Sequence, residues 1–421
     1  MAKKPFFTAE DAKTSFNLFC CIYGIGTLGM PGNFARAGPT IAVVAMAFMA
    51  FANIYSSVAM SKVMLLAPKS VKTFGDLGEW AMGQWGRWLC VISQMGSCLL
   101  IPCVFLVLGG SLLDGLFPDA FEQTTWTILM ALTVLPVCLV PTLKEGSGAA
   151  FAGCLGTIIA DVIGVAVVMH GMRGHRVFRS RSSSFRRWLV SLAICPLPTV
   201  LHSDPTRMPR VVGVTVGFIS CLFLVLASTA YSATGMTNLG FAPNWGIVVL
   251  AYIFMQLHIT IAFSVIVNPA FYLAEQEPRR SSKMSYVSVA DAENEHKGDV
   301  EEEMAEYRGG LNTIKYIVLR VIIIVILVVL AIVFKDHFSD FADFVGASCI
   351  TTNCILLPIT FYLIKAWGRL PMYEKIPAII VTIVCFVLGC YVTTRPAKAF
   401  PILFGHVREH VYYNYTAAHE S

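Results

Sequence analysis

Apolar residues in this chain gather into long blocks, with polar positions confined to the stretches between them. Ile41–Val58, Trp88–Leu113 and Ile314–Phe334 run almost without charge. About 20 apolar residues in helical form cross a hydrocarbon layer of about 30 Å. Blocks of this length, apolar on every side, predict membrane-spanning helices rather than the one-sided stripes of surface helices. Reading blocks and breakers in order places helices near 15–37, 40–66, 88–113, 125–142, 149–170, 211–233, 246–273, 314–334, 344–365 and 376–393. An eleventh is in question around 188–201.

Composition strengthens this picture. Of 421 residues, 56% are hydrophobic and 14% charged, and the mean hydropathy is +0.68. A soluble domain carries about 25% charged residues. The fold class expected is therefore an all-α polytopic membrane protein. The net charge of +5 resides in loops, so it reports topology and implies no nucleic-acid partner. With the N-terminus in the cytosol, Lys62, Lys69, Lys72, Arg87, Lys144, Lys365, Arg369 and Lys375 all fall inside, as the positive-inside rule asks. Asp114, Asp119 and Glu122 fall outside. Residues 1–14 then form a cytosolic N-terminus, 15–393 the transmembrane domain and 394–421 an extracytosolic tail. The triplet Asn414-Tyr415-Thr416 lies in that tail.

Two stretches break the pattern. Residues 276–310 are polar and rich in Ser, Glu and Lys, which reads as a disordered cytosolic loop. Residues 171–187, "GMRGHRVFRSRSSSFRR", carry six arginines on what the topology makes the outer side. Thirteen cysteines suggest a disulfide framework until their positions are read. All but Cys195 lie in apolar runs, with no C-x-x-C pair and no zinc spacing. They read as small buried hydrophobes, and no metal or cofactor is expected.

Tyr23–Gly32, "YGIGTLGMPG", contains G-x-G-x-x-G. A dinucleotide loop needs a strand before it, a helix after it and an acid about 20 residues on. No Asp or Glu occurs between Ala12 and Gly75, and the flanks are membrane-spanning. Glycine costs about 1 kcal/mol and proline about 3 kcal/mol inside a helix. The stretch therefore predicts a helix to Tyr23, an unwound segment, and a second half-helix from Pro31. A glycine-rich packing face is the alternative. Non-helical backbone at this depth is tolerated where it is buried in protein or lines a cavity, and transporters aim such breaks at substrates.

"FNLFCCIYGIGTLGMPGNFARAGP" resembles the first helix of the amino acid/auxin permease family, which has an APC/LeuT-like helix bundle. "TFGDLGEWAMGQWGRW" resembles the loop before that family's third helix. "SVIVNPAFYLAE" resembles the end of its eighth, and "DFVGASCITTNCILLPITFYL" its tenth. The resemblance implies nominally eleven transmembrane helices and secondary transport of amino acids or related small amino compounds. It also implies a substrate held at breaks in the first and sixth helices, with the backbone at Gly24, Gly26, Thr27, Leu28 and Gly29 meeting its carboxylate and amine. Cys20 stands where the sodium-coupled branch has a sodium-ligating asparagine. A thiol suits a hard cation poorly, so the coupling ion expected is a proton rather than sodium.

The sixth helix departs further. Only Trp188–Leu201 is apolar at its expected place, too short to span and interrupted by two prolines. One permitted codon choice for Ala193–Val200, read a frame over, spells Gly-Asn-Leu-Pro-Phe-Ala-Tyr-Gly, which resembles the family's sixth-helix core. A frame error across about 175–201 and a divergent loop both remain open. The functional alternatives follow from this: a working proton-coupled carrier, or a transport-dead relative acting as sensor or scaffold, or a defective gene product.

Asp161 is the one acid well inside a predicted span. A carboxylate at the bilayer centre costs about 2.5–3.5 kcal/mol on the insertion scale, so it is either a proton or amine site or a neutral acid bonded to a neighbouring helix. Gln256, Thr260, Ser264 and Asn268 recur every fourth residue and form one polar stripe. Ser348, Thr351 and Thr352 cluster similarly in the tenth helix. Such stripes join helices more often than they bind ligands, but Thr260 and Ser264 are candidates for the pathway. His258, off the stripe, reads as packed and neutral. Nothing pairs a nucleophile with a base, so no enzyme is expected. The membrane implied is the plasma membrane or a vacuolar or endolysosomal one.

Overall fold

The computed structural model describes residues 6–23, 34, 38–68, 70–71, 73–117, 120–139, 146–171, 207–233, 246–283 and 310–399. The described chain is helical and contains no strand. Helix α1 (Ala9–Ile22) starts at a capping box, in which Thr8 and Asp11 each accept the other's backbone N–H. Two orphan donors of the first turn are thereby satisfied, and the helix begins ahead of the apolar run at 15.

Helix α2 (Pro39–Leu66) opens with proline in its first turn after Gly38 at φ 80°. A second capping box, Thr73 with Asp76, starts α3 (Phe74–Met82). Gly83, at φ 74°, ends α3 and directly begins α4 (Gln84–Leu116). A left-handed glycine lets the chain reverse in one residue, which folds α3 back along the start of α4. Phe74 and Leu77 of α3 are buried in a cluster with Val63, Phe361 and Tyr362.

That reversal explains the glycine spacing in "TFGDLGEWAMGQWG". A methyl group added at Gly78 would stand 2.5 Å from the Gly86 carbonyl oxygen and 2.6 Å from Cys90 Sγ. Backbone meets backbone there, so Gly78→Ala is expected to cost about 1–3 kcal/mol through overpacking. Gly213, with open space around its methyl position, is the internal control. Melting of the detergent-solubilised protein should be lowered by G78A and unchanged or raised by G213A.

The remaining elements are α5 (Gln123–Cys138), α6 (Gly146–Gly171), α7 (Met208–Ala233), α8 (Gly246–Lys283) and α9 (Gly310–Phe334). After them come α10 (Phe338–Val345), α11 (Leu357–Ala366) and α12 (Met372–Ala399). Seven helical stretches among the described residues are long and apolar enough to cross a membrane, and Gln123–Cys138 and Phe151–Val167 are shorter apolar helices. Helix α8 is the hub, packing on α6, α4, α5 and α1. It runs about two turns into the stretch read as a loop from 276, ending at Lys283. On α9, Ile314, Val318, Ile322, Val325, Val329 and Val333 are all exposed. Their spacing makes one apolar stripe, the face a bilayer would cover.

Between α10 and α11 the chain passes through two π-helical turns, Gly346–Ile350 and Thr352–Leu356. Thr351 Oγ1 donates to the Gly346 carbonyl at 2.9 Å, five residues back. Ser348 Oγ donates to the Phe344 carbonyl at 2.6 Å. Ser348 and Thr351, two of the three hydroxyls expected to cluster in the tenth helix, thus bond the backbone of their own helix. Such bulges concentrate at functional sites.

Candidate functional site: the end of the first helix and Asp161

Helix α1 stops at Tyr23, whose backbone is extended (φ −95°, ψ 107°) and whose N–H closes the last turn on the Phe19 carbonyl at 2.7 Å. The break expected after Tyr23 therefore has its near edge in the structure. Gly24, Gly26, Thr27, Leu28 and Gly29 lie outside the described residues, as does 172–206 with the anomalous sixth-helix stretch. Tyr23 is 2% exposed. Its ring stacks on Phe223 of α7 at 5.1 Å and tilts against Phe19 at 4.6 Å.

Helix α6 lies alongside α1 in the same direction. Phe16 meets Phe151 edge-on at 5.0 Å. One turn further, Cys154 Sγ donates to the Phe16 carbonyl at 3.2 Å, and Cys20 Sγ packs against Gly153. This register brings Asp161 to Tyr23. The Asp161 carboxyl is 5% exposed and lies close enough to the Tyr23 hydroxyl to act on it electrostatically. Asp161 faces the bundle, not lipid. It lines a small cavity of about 40 Å³ whose other walls include Leu112, Val248, Tyr252 and Met255. The cavity is apolar apart from Asp161 and the Tyr252 phenol, so a carboxylate there has little water to solvate it.

His258 sits below this point on α8, 1% exposed, with Nδ1 3.1 Å from the Gly153 carbonyl oxygen. A carbonyl accepts only from a protonated nitrogen, which assigns the tautomer and makes His258 a bolt between α8 and α6. The polar stripe is split in its roles. Thr260 Oγ1 donates to the Gln256 carbonyl at 2.9 Å and Ser264 Oγ to the Ile261 carbonyl at 2.7 Å. Both hydroxyl protons are committed to the helix, leaving oxygen lone pairs to accept. Both residues are half-buried. The structure does not bring them into the Asp161 cavity.

Two charged features were illegible in the sequence. Arg320, midway along α9, is 1% exposed. It donates to the Cys138 carbonyl at the end of α5. Its guanidinium lies over Tyr316 at 4.1 Å and Phe271 at 4.8 Å, while the Tyr316 hydroxyl donates to the Leu139 carbonyl at 3.0 Å. A cation at a helix C-terminus meets the negative end of its dipole. Asp11, 0% exposed, pairs with Arg207 just before α7, and Arg207 also donates to the Phe6 carbonyl at 3.2 Å. The start of α1 is thus tied to the start of α7. Arginine near a span end reads as a topology signal, and only the fold supplies these partners.

The family model described as transmembrane amino acid transporter protein matches residues 9–395. This chain belongs to that family. The transporter is accordingly an integral, multi-pass membrane protein of a carrier family, not an enzyme. Amino acid transporter AVT3A of Arabidopsis thaliana is 22% identical over 422 residues, 91% of this chain and 88% of that protein. Amino acid transporter AVT1I of the same plant is 34% identical over 106 residues, so the match spans about a quarter of each chain (25% and 26%). Amino acid transporter AVT1D is 23% identical over 264 residues, 54% of this chain and 44% of the relative. Among solved structures, MhsT in complex with L-phenylalanine superposes with a TM-score of 0.56 and 11% identity, covering 91% of this chain and 97% of that one. At that identity the likeness is one of fold, and the LeuT-like bundle expected from the sequence is the fold observed.

Proposed function

We propose that this transporter moves amino acids by alternating access, driven by protons taken up at Asp161. The observation that carries the reading is a carboxyl buried on an inner wall, beside the residue where α1 ends. A buried acid exchanges its charge for a proton at modest cost, and a helix break is where a carrier of this fold holds substrate. The backbone at Gly24, Gly26, Thr27, Leu28 and Gly29 is assigned to the substrate's carboxylate and amine. Thr260 and Ser264 are assigned to the pathway, offering acceptor oxygens. Cys20, enclosed against Gly153, supports protons over sodium as the driving ion, since a thiol is a soft, poor ligand for sodium. The relatives' names, amino acid transporters throughout, support the substrate class.

The test is uptake of a labelled amino acid mixture into vesicles reconstituted with the purified chain. Acidifying the side of entry should drive accumulation that a protonophore collapses. Accumulation that follows a sodium gradient instead would overturn the coupling. Amino acid binding without movement would favour the sensor reading.

A further inference from the structure

We propose that the turn joining α11 to α12 binds the headgroup of an anionic phospholipid, held by Lys365, Arg369 and Lys375 beside the exposed rings of Trp367 and Tyr373. The site concerns the lipid partner of the carrier and is independent of the reading of Asp161.

The turn is short and fixed by its own backbone. Helix α11 ends at Ala366 and residues Trp367–Arg369 form a single 3-10 turn. The Leu370 N–H donates to the Ala366 carbonyl at 3.1 Å, and the Glu374 N–H to the Pro371 carbonyl at 3.0 Å as α12 begins. Two ammonium groups are placed over indole faces. Lys365 Nζ lies 4.4 Å from the ring centre of Trp80 on α3, and Lys375 Nζ 4.6 Å from that of Trp367. A ring face attracts a cation without neutralising it, so both keep their charge and N–H donors for an anion. The carboxylates of the neighbouring segments are engaged elsewhere. Glu374 accepts from Lys62 Nζ at 2.9 Å and from the Tyr362 hydroxyl at 2.7 Å. Glu79 accepts from Arg87, and Asp76 lies 3.7 Å from the same guanidinium. Among the described residues, none of Lys365, Arg369 and Lys375 is ion-paired to a carboxylate.

The surroundings of these charges decide the kind of anion. Trp367, Met372, Tyr373 and Ile376 are all exposed around the turn. Indole and phenol rings at the ends of spans sit at the level of lipid headgroups. A free phosphate would match the cations and leave Met372 and Ile376 in water, whereas a phospholipid supplies both a phosphate and acyl chains. The positive-inside pattern assigns this end of the bundle to the cytosol, and the cytoplasmic leaflet carries the anionic lipids. Each Lys or Arg near such a surface strengthens attraction about fivefold. Cations without a counter-charge from the protein therefore favour a headgroup of net negative charge over a zwitterionic one, whose own ammonium offsets its phosphate.

The test is native mass spectrometry of the purified full-length protein in detergent, titrated with dioleoyl phosphatidylglycerol or dioleoyl phosphatidylcholine. The two lipids share their acyl chains, so the ratio of their affinities reads the headgroup. The parent should retain the anionic lipid at least about tenfold more tightly. Arg369→Gln, a change at an exposed position, should lower that ratio about fivefold. K365Q/K375Q should bring it close to one, while K365R/K375R keeps both charges and should keep the preference. K13Q/K315Q removes the same net charge from two exposed positions outside the turn and should leave the ratio within about twofold of the parent's. A parent that binds both lipids alike would overturn the proposal. An equal fall in K13Q/K315Q would overturn it too, as an effect of overall charge. Full preference surviving in R369Q and K365Q/K375Q would place the lipid elsewhere on the protein.

Discussion

Asp161→Asn abolishes acid-driven accumulation while sparing exchange of substrate across the membrane. A one-unit pH gradient moving one proton per substrate supports about tenfold accumulation, because 1.4 kcal/mol is a factor of ten. The amide has nearly the shape of the protonated acid and no charge to lose. The variant is held in one protonation state, so its accumulation ratio should drop from about ten to about one. Counterflow of preloaded substrate needs no net proton movement and should persist. Parallel flux measurements in one vesicle preparation separate the two. A D161N protein that still concentrates substrate under the pH gradient would place the proton elsewhere. Loss of counterflow as well would show the residue is needed for substrate movement in general.

Arg320→Leu should unfold the transporter at markedly lower temperature, without acting on the site. The guanidinium is buried, donates to the Cys138 carbonyl at the end of α5 and lies over two aromatic faces. Hydrogen bonds to charged groups contribute about 1.5–3 kcal/mol, and a desolvated cation–π contact about 2 kcal/mol. Leucine would bury a carbonyl with its partner removed, so a loss of about 3–5 kcal/mol is expected. Arg320→Lys keeps the charge but not the planar fork that stacks and donates together, and should fall between. Monodispersity after heating in detergent reads the order: parent, then R320K, then R320L. An R320L protein as heat-resistant as the parent would mean that the Cys138 carbonyl finds another donor.

Much of the architecture was legible because the bilayer imposes a coarse rule. The blocks at 40–66, 88–113 and 314–334 became α2, α4 and α9 with boundaries shifted by a few residues. Thr8 with Asp11 and Thr73 with Asp76 start helices earlier than the apolar runs, since capping is a matter of hydrogen bonds, not hydropathy. Tyr23 as the end of α1 was legible from the glycines and proline that follow it. His258 is packed, as the sequence suggested, for a reason the sequence lacked: its carbonyl partner is 105 residues away.

What the sequence alone determined is the class of solvent, most of the long helices and the place where the first helix must stop. Each follows from local chemistry, namely apolar length, helix propensity and the spacing of breakers. Which inward group faces which was decided only by the tertiary structure. Asp161 was visible as a costly acid, but its placement beside Tyr23 depends on α1 and α6 running in register. Arg320 drew no expectation from the sequence, because the carbonyl it caps belongs to a helix 182 residues earlier in the chain. Periodicity identifies the face a residue occupies on its own helix, and the partner on the other side is set by how the helices pack.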